Sequence, residues 1–385
     1  MPVPYSKPFL DVPGQVALLI ARGLDVGAPV EAERLLRQFG YYRLSGYWHP
    51  LRKATLEANG SGKLDFVYAS DFRSGTTLAQ AVGIAEFDRR LRGLFLEASE
   101  RIEVAVRVAV ALLFGPRGPW AHRDPAQFYS KFVSKADPVT GEVPFATWLA
   151  RVDDHERRSK EQFSAHFREK YEGPHPLWIS IEVWDFGMLS RLVGGMSVAD
   201  QMALAAQFGI SRRALFPSWM RAINHVRNVS AHHSRLWNRS PADQAVPPKV
   251  GEFPLLDHLA TDAFAHTRIY AVAAVMQYLL RIIDPRSAQD WATDMRELFT
   301  SFPAVPGVPV EQSGFPQNWY EQPLWDTTGA HRRERLLSWE AFGRAFWREE
   351  RPRDRRQADA AMGRQEMGAI IQAKDGARCA ARARA

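Results

Sequence analysis

An all-α fold is what this sequence predicts, on three observations. Apolar residues recur at steps of three or four along most of the chain, and acids stand four residues before bases on the opposite side. No convincing run of alternating strand residues interrupts that pattern. The chain has 385 residues, 46% hydrophobic and 24% charged, enough to bury a core without disulfides or metals.

The clearest element runs from Thr77 to Phe114. Ile84, Phe87, Leu91, Leu94, Ala98, Ile102, Ala105, Ala109 and Leu112 form its apolar side. Asp88–Arg92, Glu97–Arg101 and Glu103–Arg107 are acid-before-base pairs on the other. Thr77 with Gln80 reads as a capping box and Gly115-Pro116 as a stop, although such a length leaves room for a break.

Further helices are expected near 13–22, 29–39, 145–171, 177–194, 198–208, 211–233, 255–283, 288–299 and 338–348. A short extended piece is expected around Leu64–Tyr68. Residues 302–326 are Pro-rich and aromatic, and should lie extended across the body with Phe315, Trp319 and Trp325 as anchors. The organisation expected is a helical body over residues 1–326. A C-terminal helix and an Arg/Ala-rich tail, disordered by its composition, would follow over 327–385.

Composition excludes several classes. The single cysteine, Cys379, rules out a disulfide framework and a multi-Cys zinc site, and favours a reducing compartment. The segment MPVPYSKPFL has no apolar signal-peptide core, and the longest apolar stretch, Ile269–Leu280, is broken by Gln277. A cytoplasmic protein with no membrane partner is expected. The net charge is +7, but residues 348–385 carry ten Arg/Lys against six acids. The other 347 residues hold only +3, so bulk charge carries no nucleic-acid argument.

Chemistry concentrates in RAINHVRNVSAHHSRLWNR, residues 221–239. On a helix, Asn224, Asn228 and His232 stand i, i+4, i+8, with Arg235 three further on and Arg221 at the head of the stripe. A second line runs Arg227–Ala231–Arg235. Arg227 and His232 lie about 140° apart around an ideal helix, so they converge only across the helix end or through a partner's surface. The set suits metal-free cleavage of an RNA phosphodiester. Histidine moves the proton, arginine clamps the phosphate, and Asn228 orients the imidazole or holds the phosphate. The competing reading of the same residues is a structural hydrogen-bond network.

Arg227-Asn228-Val229-Ser230-Ala231-His232 fits the R-x4-6-H motif of HEPN-domain ribonucleases. More widely, KPFL (Lys7–Leu10), YYRLSGYWHP (Tyr41–Pro50), EFDRRLR (Glu86–Arg92), ERIEVAVR (Glu100–Arg107), PLWISIEVWDFGMLSRL (Pro176–Leu192), VRNVSAHHSRLWNR (Val226–Arg239) and GFPQNWYEQPLW (Gly314–Trp325) resemble the Abi-like abortive-infection family of bacteria, the AbiD/AbiF-like proteins. The resemblance implies a HEPN-like helical bundle with extra N-terminal helices. It implies a metal-independent endoribonuclease of phage defence that leaves a 2′,3′-cyclic phosphate and needs no cofactor. By that resemblance Arg227 and His232 are catalytic and Asn228 accompanies them, with His233, Arg235, Arg221, Asn224 and Asn238 as substrate-binding candidates. A homodimer facing two motifs into one cleft is implied too, as is a small noncoding RNA or antitoxin regulator. The alternative is a noncatalytic RNA-binding or interaction module of a defence or toxin–antitoxin system.

Other features are weaker. Tyr41–Trp48 reads either as a base-stacking surface or, preferably, as a helix end closed by Gly46 with packed aromatics. Glu100 and Glu103 with Arg101 and Arg107 form a solvated ion-pair face, or else supply an acid to the motif helix. His258, Asp262 and His266 stand i, i+4, i+8, which suits a metal, but surface residues are the stronger reading. No HExxH, P-loop or GxGxxG after a strand is present.

Overall fold

The structure is a computed structural model describing residues 4–327, apart from positions 7, 59, 61 and 63. The helix expected at 338–348, the Arg-rich tail and Cys379 lie outside the described residues. Helices α1 (Val12–Ala21) and α2 (Pro29–Phe39) open the chain with proline in the first turn, where a missing N–H leaves no bond unmade. Helix α3 (Tyr41–Trp48) buries Leu44, Tyr47 and Trp48. Tyr41–Trp48 is therefore a whole helix with packed aromatics rather than a helix end, and Gly46 sits inside it.

An antiparallel hairpin follows, β1 (Arg52–Ala58) with β2 (Leu64–Phe72), where only a short extended piece was expected. Its period-2 alternation is real but brief. Nearly every residue of both strands is exposed, so no core pattern announces it.

Helix α4 (Leu78–Phe114) runs unbroken for 37 residues, about 55 Å. The capping box is present: Gln80 N donates to Thr77 Oγ1 at 3.1 Å, and Thr77 N to Gln80 Oε1 at 3.0 Å. Two of its acid–base pairs are not on a solvated side. Asp88–Arg92 is buried and Glu103–Arg107 nearly so, because other elements cover α4 on more than one face.

The next elements are α5 (Ser130–Ser134), α6 (Pro144–Arg158), α7 (Gln162–Lys170), α8 (Leu177–Ser180), α9 (Phe186–Gly195), α10 (Val198–Gln207) and α11 (Leu215–Ala231). They are followed by α12 (Asp257–Thr261), α13 (Ala263–His266), α14 (Ile269–Ile283) and α15 (Pro285–Thr300). α4 packs against α3, α10, α11, α14 and α15.

Three expected helices are split, and each break has a chemical cause. Between α6 and α7, Arg168 donates to Glu156 O at 2.7 Å and to Ser159 O at 2.8 Å, satisfying carbonyls the break frees. Asp185 caps α9, accepting Met188 N at 2.9 Å, and Asp262 caps α13, accepting Ala265 N at 2.9 Å.

Residues 302–326 do lie across the body, through three short 3-10 turns. Phe315, Trp319 and Trp325 are buried as anchors, with Trp319 edge-on to Trp325 at 4.6 Å. Gln277, the polar break in the apolar helix α14, is buried and donates to Ala288 O at 3.1 Å. Arg281 Nη1 donates to Leu324 O at 3.1 Å, which ties the segment down. Gly314 sits at φ +90° against Arg268, where any Cβ would collide. Among the described residues no helix is long and apolar enough to cross a membrane.

Candidate active site

Helix α11 buries Leu215, Phe216, Trp219, Met220, Ile223 and Val226 against α4, α9 and α14. Its other side carries Arg221, exposed, and Asn224, Arg227 and Asn228, half-buried. Those last three form a chain of long hydrogen bonds. Arg227 Nη1 donates to Asn228 Oδ1 at 3.4 Å, and Asn228 Nδ2 to Asn224 Oδ1 at 3.4 Å. Bonds of that length are weak. His225, by contrast, is turned aside: its Nε2 accepts Ala242 N at 3.3 Å, and burial lowers its pKa.

The helix ends at Ala231, and His232 is the C-cap, with its side chain exposed. His232 N donates to Asn228 O at 2.9 Å, His233 N to Ser230 O at 3.1 Å and Ser234 N to Val229 O at 2.9 Å. This is a Schellman closure with His233 in the left-handed position, φ +57°, usually given to glycine. The imidazole of His232 thus stands free at the end of a firmly bonded backbone.

The stripe stops there. Arg235 is not on the helix, so the predicted line through Ala231 to Arg235 does not exist. Its guanidinium is half-buried and donates to Gly46 O, and burial lowers its pKa. Arg43 Nη2 donates to His233 O at 2.6 Å. Asn238, at φ +50°, donates to Gln312 Oε1 at 2.9 Å and joins the turn to the C-terminal segment. Arg235 and Asn238 serve here as struts, while Arg221, His232 and His233 face solvent.

What fixes this turn is Asp88 on α4. Fully buried, it accepts Tyr47 Oη at 2.6 Å, Trp237 N at 2.7 Å, Leu236 N at 3.1 Å and the Arg92 guanidinium. Burial, with the Asp88 charge added, pushes the Tyr47 hydroxyl far above its usual range, so it remains a donor.

Helices α4 and α9 pack against the motif helix, and α6 packs against α9. Glu103 on α4 pairs with Arg107, whose Nη2 also bonds Trp184 O. Burial raises the Glu103 carboxyl pKa, and the charges of Arg107 and Arg227 pull it back. Glu103 is thus an acid held beside Arg227, not part of a solvated face. Asp185, the cap of α9, pairs with Arg151 and lies 3.7 Å from His155 Nε2, both on α6. Gly187 allows α9 to approach α11 closely: a Cβ there would stand 3.0 Å from Asp185 Oδ1 and 3.7 Å from Asn224 Oδ1. Beyond His155 an open groove of about 520 Å³ is lined by Arg158, Lys160, Glu161 and Glu182. Asp185, Arg151 and His155 were missed by sequence reasoning. No local spacing marks them, since only the α6–α9 packing brings Arg151 and His155 to Asp185.

The metal reading of His258, Asp262 and His266 fails because the helix breaks at Asp262. His258 Nε2 bonds Tyr270 Oη at 2.8 Å, and burial lowers its pKa to about 4. His266 bonds Leu259 O. Among the described residues no cluster of three or more His, Cys, Asp or Glu is placed to hold a metal.

No curated protein and no solved structure matches the chain. A family profile, described as Abi-like protein, matches residues 34–238. That span is more than half of the 385 residues and runs from α2 to Asn238, so it takes in the whole motif helix and the turn behind it. The chain belongs to the Abi-like family.

Proposed function

We propose that the protein is a metal-independent endoribonuclease acting in abortive infection, with Arg227, Asn228 and His232 as its catalytic set. The family points to abortive infection. The observation that carries the chemical reading is the pairing of an exposed C-cap imidazole, His232, with the loosely bonded Arg227–Asn228–Asn224 row behind it.

His232 removes the proton from an RNA 2′-hydroxyl, and the 2′-oxygen forms its bond to phosphorus as the P–O5′ bond breaks. The departing 5′-oxygen takes a proton from the imidazole of a second copy. A 2′,3′-cyclic phosphate and a 5′-hydroxyl remain. Arg227 neutralises charge building on the phosphate oxygens, and Asn228 holds the phosphate in line. Glu103 steadies Arg227 from below. Arg221, Asn224 and His233 extend the phosphate contacts. Two motifs sharing one cleft in a homodimer would bring together an Arg227 and a His232 that stand about 140° apart around an ideal helix.

The test is cleavage of RNA by purified protein in EDTA. His232→Ala should abolish it while leaving the fold and RNA binding in place, and Arg227→Ala should lower it about 100-fold or more. Wild type and His232→Ala equally inert on diverse RNAs, tRNA included, would sink the enzyme reading and leave a noncatalytic RNA-binding module.

A further inference from the structure

The hairpin β1–β2 presents a face that nothing in the described body covers. Side chains alternate across a strand, and the pairs Ala54–Tyr68, Leu56–Phe66 and Ala58–Leu64 share one face, while Thr55–Val67 and Glu57–Asp65 share the other. The first face is wholly apolar. Its large members are open to solvent: Leu56 is 58% exposed, Leu64 61%, Phe66 64% and Tyr68 38%. His49, its ring 4.1 Å from that of Tyr68, touches the rim of the face from the end of α3. A two-stranded hairpin with an open apolar face is marginal alone, and a contiguous apolar patch of this kind marks an interaction surface.

We infer that this face is the contact between two copies of the chain, hairpin stacked on hairpin. The six positions carry no charge, which disfavours a nucleic acid. The face is also complementary to itself. The β1 row is small–large–small (Ala54, Leu56, Ala58), and the β2 row is large throughout (Leu64, Phe66, Tyr68). A two-fold axis parallel to the strands lays β1 of one copy over β2 of the other and keeps the register. Ala54 then meets Tyr68, Leu56 meets Phe66 and Ala58 meets Leu64. An axis across the strands would instead set large row on large row and small on small. Complete burial of the six side chains would remove roughly 500 Å² per copy, about 1,000 Å² in all, which is the lower limit for a biological contact and the size of a weak one.

This contact stands apart from the nuclease reading, since a protein that cleaves nothing would still form it. The two regions do communicate. Helix α3 carries the hairpin at its far end, while Arg43 and Gly46 within it bond the turn behind His232.

Sedimentation or light scattering of the full chain at micromolar concentration reads the result directly. Wild type should have at least twice the monomer mass, and loss of the hairpin contact should halve it, whether or not the motif cleft adds a contact of its own. Leu56→Glu and Phe66→Glu should each weaken the dimer about 100-fold or more by burying a charge, and Val67→Glu on the other face should leave it intact. Circular dichroism spectra of all three should match wild type, since none of these side chains packs in the core, and the melts of Leu56→Glu and Phe66→Glu should fall only by the share that dimerisation adds. With Cys379→Ser in each, a short bis-maleimide should join Leu56→Cys to Phe66→Cys across mixed copies more readily than Leu56→Cys to itself. A monomeric wild type, or equal loss with Val67→Glu, overturns the assignment, whatever else covers the face.

Discussion

Replacing Asp88 by asparagine tests how the exposed motif is held from inside. The carboxylate is fully buried and meets four donors: Tyr47 Oη, Arg92, Leu236 N and Trp237 N. An amide in its place would keep the shape but remove the charge, leaving the Arg92 guanidinium buried without its counter-ion. Breaking a buried ion pair from one side costs roughly 3–5 kcal/mol. The new amide must also turn an N–H toward one of the donors, which strands a buried polar group at about 1–3 kcal/mol. We expect Asp88→Asn to lose about 4–6 kcal/mol. Arg92→Met should lose less, about 1–2 kcal/mol, because Asp88 keeps three donors.

The double variant decides the mechanism. With the unpaired guanidinium gone, Asp88→Asn with Arg92→Met should be less damaged than the two losses added together, by about 2–3 kcal/mol. Urea unfolding of the four proteins gives these values. Amide hydrogen exchange adds a local reading, because the Leu236 and Trp237 amides should lose protection before the rest of the core. Additivity within ~0.5 kcal/mol, or a loss below ~1 kcal/mol for Asp88→Asn, would refute the view that one buried charge pins this turn.

Two further outcomes follow from local chemistry. His122 is fully buried with both ring nitrogens unbonded, and burial, with Arg123 adding, lowers its pKa from 6.5 to about 3. The unfolded chain therefore takes up this proton first. The stabilisation is complete above pH 6.5 and is lost as pH falls toward 3, on the order of 5 kcal/mol in all. Urea midpoints between neutral and acid pH should show it, and His122→Phe should flatten the slope. His233→Gly should stabilise the protein by roughly 0.5–1 kcal/mol by relieving a left-handed non-glycine residue; an unchanged or lower urea midpoint would show that the histidine carries no such strain.

Local features were legible in the sequence, and tertiary ones were not. The Thr77–Gln80 box, the long α4 and the anchors Phe315, Trp319 and Trp325 are all announced by residues close together in the chain. The Arg227–Asn228–Asn224 row was legible because helical spacing alone places it on one side. Asp88–Arg92 was legible only as a pair opposite the apolar side, because an acid four residues before a base looks the same in water or in the core. Its burial depends on α3 and on amides some 150 residues away. Arg235 failed for a related reason: the Schellman closure ends the helix at Ala231, two residues short of the expected 233, and no glycine signals it, since His233 occupies the glycine position. Of the hairpin only the piece around Leu64–Tyr68 was legible, because both of its faces are open to solvent and no core-forming pattern separates the rest from a loop.

The division of labour around α11 also explains why its polar row is so loosely bonded. The backbone behind the motif is held at every step, by the Schellman closure, Arg43, Arg235 and Asp88. The side chains in front are joined only by two contacts of 3.4 Å. Hydrogen bonds from arginine to a phosphate oxygen are short and join two charges, whereas these contacts are long and only the Arg227 donor is charged. An incoming phosphodiester would therefore displace the Arg227–Asn228–Asn224 contacts at little cost while the helix beneath them stays still. Had Arg227 been locked into a short, closed ion pair, as Arg92 and Arg107 are, that exchange would be opposed by the loss of a strong bond. Among the described residues the same helix bundle thus contains both kinds of arginine, those closed in short ion pairs and the loosely bonded Arg227.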